Sequence, residues 1–245
     1  YNEELLYKTF GVQAELLIDH AWGWEPCTIA DIRAYRPDSN SISSGQVLQE
    51  PYDWHKAKLI VREMTDLLVL DLVKKRLCTD QLTLTIGYDI ENLSDPARAA
   101  EYAGETHVDR YGRRVPKHGH GTANLTGYSS STREITDAVM ALYDRITDKN
   151  LLVRRVTVAA NRVLPENKIP RAAESGEQMD LFSAAEEKPC APGAEQKARE
   201  RERRRQEAIL AIQRRYGSNA ILKGMNLEEG ATTRERNKQI GGHRA

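Results

Sequence analysis

Residues 150–163, NLLVRRVTVAANRV, constrain the fold more than any other segment of this sequence. From Val156 onward apolar residues alternate with small polar ones, the period-two pattern of a strand with one buried face. The apolar side carries Val156, Val158 and Ala160, and the other side carries Arg155, Thr157, Ala159 and Asn161. Arg154 falls on the apolar side at the start of the strand. The arginine pair and the small polar groups suit an anionic backbone, and the alternative is an edge strand protected by its charge.

Three other strand patterns and two helix patterns precede this segment. The strands are predicted at residues 40–49, 81–88 and 121–128. One helix follows an N-cap at Asp53 and runs to about Arg76, and the other follows a capping box, STRE, at residues 131–134. The order β-α-β-β-α-β predicts an α+β domain of the ferredoxin-like, split βαβ kind, with both helices on one face of the sheet and the other face open.

The first predicted strand is rich in small side chains. Ile42 is apolar, whereas its neighbours are small enough for another backbone to come close: Ser41, Ser43, Ser44 and Gly45. These residues therefore extend the predicted open face beyond the strand at 150–163.

Residues 89–120 are polar and contain several glycines and prolines, which predicts a long, mobile hairpin excursion. The segment contains His107, His118 and His120. A metal site there is conceivable, but no cysteine or spaced carboxylate accompanies the histidines, so we predict none.

Composition limits the kinds of partner. Over 245 residues, 36 basic side chains balance 36 acidic ones, so a partner that binds by charge must meet a local patch. Cys27, Cys78 and Cys190 lie far apart and form no CxxC pair, which fits a reducing compartment. No apolar run is long enough to cross a membrane, and we expect no membrane partner.

The two ends of the chain differ from its middle. Residues 1–24 are predicted to be helical with a break at Gly11, and residues 29–40 form an extended linker. Because the chain starts at Tyr1, inside a predicted helix, we expect it to be a piece of a longer protein. The predicted domains are a helical region at 1–35 and the sheet domain at 36–165.

Beyond Pro165 the sequence becomes poor in apolar residues. Residues 166–196 are predicted to be disordered, except for an island, QMDLF, at 178–182. Residues 197–216 are predicted to form a charged helix, for which a solvated surface is favoured over a nucleic-acid patch. The remaining residues, 222–245, are polar, so the predicted region 197–245 consists of the charged helix and a polar tail.

In this order, the segments resemble the C-terminal part of a bacterial Y-family DNA polymerase of the UmuC/DinB type. Residues 6–26 resemble the last helices of the thumb, and residues 41–162 resemble the little finger. Residues 178–182 resemble the Gln-x-x-Leu-Phe peptide that binds the bacterial sliding clamp. The tail from residue 223 is similar to the ends of UmuC-like proteins.

The resemblance implies a role in translesion synthesis, DNA repair and the SOS response in the cytoplasm. Template-primer DNA would be contacted by Ser41, Ser43, Ser44, Gly45, Arg154 and Arg155. The sliding clamp (beta subunit) would be bound by Gln178, Met179, Leu181 and Phe182. The family's catalytic carboxylates and their Mg²⁺ ions would precede Tyr1, so we expect no catalytic residue or cofactor in this chain, and no polymerisation by it.

Two rival interpretations remain. An RNA-binding module shares the order β-α-β-β-α-β but stacks bases on aromatic side chains, and residues 82–86 and 152–160 contain none. A regulatory ferredoxin-like domain would give no reason for paired arginines close to a clamp-binding peptide.

Overall fold

The computed structural model describes residues 2–35, 40–109, 112–169, 192–240 and 243–244. The chain divides into two compact units, Tyr1–Ser39 and Asn40–Ala245. The predicted clamp-binding residues 178–182 lie outside the described residues.

The first unit contains three helices: α1 Glu3–Phe10, α2 Gln13–Ala21 and α3 Ile29–Ala34. Gly11 ends α1 with φ 57°, which confirms the predicted break. The predicted extended linker is wrong at its start, because Thr28 and Asp31 form a reciprocal capping box that begins α3. The pattern was missed because this helix is only six residues long.

The second unit contains a main sheet, a helical layer and a C-terminal tail. Its strands are β1 Ile42–Tyr52, β2 Leu77–Tyr88, β3 Thr106–Val108, β4 Arg114–Pro116, β5 Gly119–Ser129, β6 Val153–Asn161, β7 Leu164–Pro165, β8 Gln239–Ile240 and β9 His243–Arg244. Its helices are α4 Trp54–Lys75, α5 Glu91–Ser94, α6 Pro96–Glu101, α7 Thr132–Ile146, α8 Pro192–Tyr216 and α9 Thr233–Arg236, with 3-10 turns at Glu166–Lys168 and Gly224–Leu227.

The main sheet has the strand order β1-β6-β2-β5, every pairing is antiparallel, and β7 extends it beside β2. The mixed α and β composition and the order of its main elements along the chain agree with the prediction. The arrangement differs from a ferredoxin-like sheet, whose first and third strands are central, because here the second and fourth main strands, β2 and β6, are central. Periodicity identifies strands but not their neighbours. The alternative of β6 as an edge strand is wrong.

Helices α4 and α7 cover one face of the sheet and form the core with it. Asp53 accepts a hydrogen bond from the Lys56 amide at 2.8 Å, which confirms the predicted N-cap of α4. The core face of the two central strands is completely buried at Leu82, Leu84, Ile86, Val156, Val158 and Ala160. Burying each of the larger side chains stabilises the fold by roughly 1.5–3 kcal/mol.

Helix α7 packs closely on the edge strand β5 because glycines face it. A Cβ atom on Gly121 would lie 2.8 Å from Ile146 Cγ2 and 2.9 Å from Leu142 Cδ1. The predicted N-cap of α7 is present, since Ser131 Oγ accepts from the Glu134 amide at 3.3 Å. The second half of the predicted capping box, a hydrogen bond from the Ser131 amide to the Glu134 side chain, does not form part of this cap.

The segment 89–120 contains regular structure, contrary to the predicted long hairpin excursion. It contains α5, α6 and the short hairpin β3-β4. Asn92 is completely buried, and its side chain donates to the carbonyl groups of Asp89 and Leu152 and accepts from the Leu152 amide. The sequence analysis missed this regular structure because the segment is polar, whereas its polar residue Asn92 is buried and links two parts of the backbone.

Helix α8 begins at Pro192, so the predicted disorder of 166–196 does not hold at its described ends, where a 3-10 turn and this helix are found. One side of α8 is docked instead of solvated. Gln206 is 3% exposed, and its amide donates to Ser130 O at 3.0 Å and to Thr132 Oγ1 at 2.9 Å. Arg203 pairs with Glu166 at 2.6 Å.

The residues after α8 pack on the outer side of α4. Glu63 of α4 is 1% exposed and accepts from Asn226 Nδ2 at 2.7 Å and from the Thr232 amide at 2.8 Å. Lys223 pairs with Asp66, also on α4. The polar tail is therefore part of the folded unit. None of the helices in the described part of the chain combines the length and low charge needed to span a bilayer.

Candidate nucleic-acid interface

The face of the main sheet opposite α4 and α7 is the candidate site, and we call it the open face. Its strands carry small polar residues in register across the sheet. One row is Gly45, Thr157, Thr85 and His120, and the next row is Ser43, Ala159, Thr83 and Thr122. A surface of hydroxyl groups and short side chains allows a ligand backbone to approach the sheet closely.

Hydrogen bonds between neighbouring strands hold these side chains in place. Thr85 Oγ1 lies 2.9 Å from His120 Nδ1, and Gln81 Nε2 donates to Asn124 Oδ1 at 2.9 Å. Asn161 Nδ2 donates to Thr83 Oγ1 at 2.7 Å. The open face is therefore an ordered polar surface. The cross-strand partners of the β2 threonines could not be predicted from the sequence, because they depend on the order of the strands in the sheet.

Arg155 lies at one end of the open face. It is exposed and sits opposite Gly87, where a Cβ atom would come within 3.2 Å of Arg155 Cβ. Among the described residues, the side chain of Arg155 has no hydrogen-bond or ion-pair partner, so its guanidinium is available to a ligand.

Arg154 is in a different position from its neighbour. The register pairs Gly87 with Arg155 and Tyr88 with Val153, so Arg154 is the extra residue of a β-bulge. Its Nη1 donates to Gln49 O at 2.9 Å, and its Nε lies 3.6 Å from the Asp89 carboxylate. The two arginines therefore do not form one paired site: Arg154 is bound within the protein.

The small residues of β1 divide between the two faces. Ser43 and Gly45 lie on the open face, and Ser41 is exposed just before the strand. Ser44 lies on the helical side, where its hydroxyl accepts from Arg236 Nη2 at 3.3 Å. The strand period separates four residues that the sequence analysis had grouped together.

At the opposite end of the open face, Arg162 Nη2 donates to Asn124 Oδ1 at 2.9 Å, and its Nε lies 3.0 Å from Asp80 Oδ1. Its charge is shared with that carboxylate. Arg155 is therefore the stronger of the two guanidiniums as a candidate phosphate contact.

The three histidines of the predicted excursion cluster at the edge of the open face. The ring centroids of His107 and His118 are 5.5 Å apart, and those of His118 and His120 are 6.3 Å apart. Burial, followed by the neighbouring histidines and Lys117, lowers the pKa of His118. Within the described ranges, no group of three or more histidine, cysteine or acidic side chains has the arrangement of a metal site.

A family model for the C-terminal domain of the impB/mucB/samB family matches residues 39–181, more than half of the chain. The chain belongs to the impB/mucB/samB family. The match includes the whole main sheet and ends within the predicted clamp-binding peptide. A search of curated proteins found no match to this impB/mucB/samB-family chain.

Three solved structures are similar to parts of this family member. The first, a complex of beta-clamp processivity factor and the little finger domain of PolIV, has 10% identity and a TM-score of 0.33, and the match covers 49% of this chain and 86% of that one. An insertion ternary complex of Dbh DNA polymerase has 13% identity and a TM-score of 0.31, and the match covers 66% of this chain and 38% of that one. A Y-family DNA polymerase chimera of Dbh and Dpo4 has 12% identity and a TM-score of 0.33, and the match covers 66% of this chain and 39% of that one. The chain thus spans less than two-fifths of either polymerase.

Proposed function

We propose that residues 40–165 are the little finger of a Y-family polymerase of the UmuC/DinB type and bind template-primer DNA through the open face. The observation that carries the proposal is the ordered open face of small polar residues, with Arg155 at one end whose side chain has no partner among the described residues. The family match supports the same assignment. The parent protein would act in DNA damage bypass in the cytoplasm.

The chemistry of the open face suits binding that does not depend on sequence. Hydroxyl groups, backbone amides and a guanidinium can all contact phosphates or sugars, and such contacts position a duplex without reading its bases. Thr157 and Gly45 allow close approach, and Arg155 supplies the charge. An enzyme that copies damaged templates needs this tolerance.

Binding by this face should be weak because it offers few unpaired cations. Each phosphate contact that is lost lowers the slope of log K against log salt by about 0.9 on duplex DNA. Arg155→Ala should therefore weaken binding and reduce the slope by about 0.9 on every duplex sequence. Fluorescence anisotropy over a salt series measures both quantities.

The matched control is Arg204→Ala. Arg204 is exposed on α8, is remote in sequence from the open face, and has a side chain without a hydrogen bond or ion pair within the described part of the chain. An Arg155→Ala protein whose affinity and salt slope match those of the control would contradict the proposed interface.

The composition of the open face does not favour the base stacking that an RNA-binding module uses. The outward positions of the two central strands are Gln81, Thr83, Thr85, Gly87, Arg155, Thr157, Ala159 and Asn161, none of which is aromatic. A duplex bound through its backbone is therefore the better fit to this surface.

We also propose that Gln178, Met179, Leu181 and Phe182 bind the bacterial sliding clamp. Leu181 and Phe182 are adjacent large apolar residues in a polar segment, and each would contribute roughly 1.5–3 kcal/mol if it were fully buried in a partner. Ordering the peptide offsets part of this, so micromolar affinity is expected. Tethering would raise the effective concentration of the polymerase at the clamp.

Calorimetry tests this second contact. The full chain should bind purified clamp, and Leu181→Ala with Phe182→Ala should abolish the heat of binding while DNA binding stays intact. Equal heats for the parent and the double variant would exclude the peptide.

A further inference from the structure

A cleft between α7 and α8 is lined by an excess of basic side chains. It has a volume of about 880 Å³, and a smaller cleft of about 220 Å³ adjoins it toward α4. Together they are lined by seven basic residues, Arg62, Arg133, Lys197, Arg199, Arg201, Arg205 and Lys223, and by four acidic ones, Asp66, Glu134, Asp137 and Glu202. We call this pair of clefts the basic cleft.

The acidic residues of the basic cleft are already engaged. Glu134 pairs with Arg199 at 3.2 Å, and Asp66 pairs with Lys223. Asp137 lies 3.8 Å from the Arg133 guanidinium.

Glu202 accepts hydrogen bonds at the start of α7, from Ser131 Oγ at 2.8 Å and from the Arg133 amide at 3.2 Å. It therefore occupies the N-terminus of that helix. The guanidinium groups, and not the helix end, are the binding groups that remain.

Three arginines of the basic cleft have no partner in the described part of the chain: Arg62, Arg201 and Arg205. Arg201 and Arg205 are four residues apart, so they lie on one side of α8. Like charges at this spacing destabilise a helix by about 0.2–0.5 kcal/mol. No contact in the described part of the chain offsets the repulsion between Arg201 and Arg205. An anion bound in the cleft would reduce this repulsion.

The helix that carries these arginines is held firmly. Gln206, next to Arg205, is buried with two hydrogen bonds, and Arg203 pairs with Glu166. Docking therefore fixes which side of α8 faces the cleft. The basic cleft is part of the folded domain and not a free charged tail.

We infer that the basic cleft binds the phosphodiester backbone of a single nucleic-acid strand. Guanidinium groups match phosphates in geometry and stay charged at all physiological pH values. Residues 197–205 extend about 12 Å along α8, which suits a polyanion better than one small anion. Among the described residues that line the cleft none is aromatic, and the apolar ones are Ala198 and Met225, so neither base stacking nor an apolar peptide anchor is favoured.

This second site is independent of the proposed open face. The open face lies opposite α4 and α7, whereas the basic cleft lies between the helical layer and α8. Arg155→Ala reports on the open face alone, and substitutions in the cleft report on the cleft alone. The failure of one proposal is therefore distinguishable from the failure of the other.

The test uses the full chain and a fluorescein-labelled oligothymidylate in an anisotropy titration over a salt series. Arg201→Gln with Arg205→Gln should weaken binding and lower the salt slope by about 1.4, at about 0.7 per lost contact on a single strand. Arg204→Gln is the control, because it removes an exposed arginine of the same helix that does not line the cleft.

Arg62→Gln, on α4, should also lower the slope, by about 0.7. It keeps the test decisive if the α8 variant loosens the helix. Slopes for the cleft variants equal to that of Arg204→Gln would overturn the inference. Competition by polyglutamate as strong as that by unlabelled oligothymidylate would also overturn it, because the cleft would then select acidic peptides.

Discussion

Asn226 is predicted to hold the C-terminal tail against α4. Its Nδ2 donates to the Glu63 carboxylate at 2.7 Å, and the two residues are 7% and 1% exposed. A hydrogen bond to a charged group contributes about 1.5–3 kcal/mol. Asn226→Ala should lower the free energy of unfolding by that amount. Removing the only partner of a buried charge destabilises a fold by about 3–5 kcal/mol. The loss here should be smaller, because the Thr232 amide still donates to Glu63 at 2.8 Å.

Urea denaturation of the full chain, followed by far-UV circular dichroism, measures this loss. A double-mutant cycle with Glu63→Gln separates the pair energy from other effects of the two substitutions. Glu228→Ala is the control, because Glu228 is an exposed residue of the same tail whose side chain forms no hydrogen bond or ion pair within the described part of the chain, and it should change stability by less than about 0.5 kcal/mol. If Asn226→Ala unfolded like Glu228→Ala, the tail would not be held by Glu63.

Three further predictions concern the sheet and its edges. Gly119→Ala should cost about 1–3 kcal/mol of stability, because the new Cβ would lie 2.6 Å from a carbonyl oxygen of α7, whereas Gly127→Ala, with open space around it, should cost nothing measurable by urea denaturation. The pKa of His118 is lowered in the fold, so the free energy of unfolding should fall as the pH drops below about 6.5. His118→Asn should reduce this fall, which urea midpoints measured at a series of pH values around 6.5 would show. Arg154→Ala should lower the thermal midpoint, whereas Arg155→Ala should leave it unchanged, because only Arg154 is bonded within the described protein.

The regular elements of the sheet domain were predictable because their patterns are local. Val156 and Val158 reveal the buried side of β6, and Asp53 reveals the start of α4. The position of Arg154 was not predictable in the same way, because a bulge shifts the alternation by one residue and depends on the partner strand.

The tail and the basic cleft could not be predicted for a different reason. Asn226 and Thr232 belong to a polar segment that composition describes as solvated. Their burial depends on Glu63, which precedes them by more than 160 residues and itself looks like an ordinary exposed helix residue. The spacing of Arg201 and Arg205 was visible, but the absence of acidic partners for them became visible only once the docking of α8 was known.

Protection of a thiol on the open face tests the central claim most directly. In a background with Cys27→Ser and Cys190→Ser, the buried Cys78 remains poorly reactive, because burial raises the pKa of its thiol. Ser43→Cys then places one reactive thiol on the open face, and Ala141→Cys places one on the exposed side of α7 as the control. Saturating duplex DNA should slow maleimide labelling of the thiol at position 43 several-fold and leave the control rate unchanged. Equal labelling rates at position 43 with and without bound DNA would contradict the assignment of the open face as the DNA-binding surface.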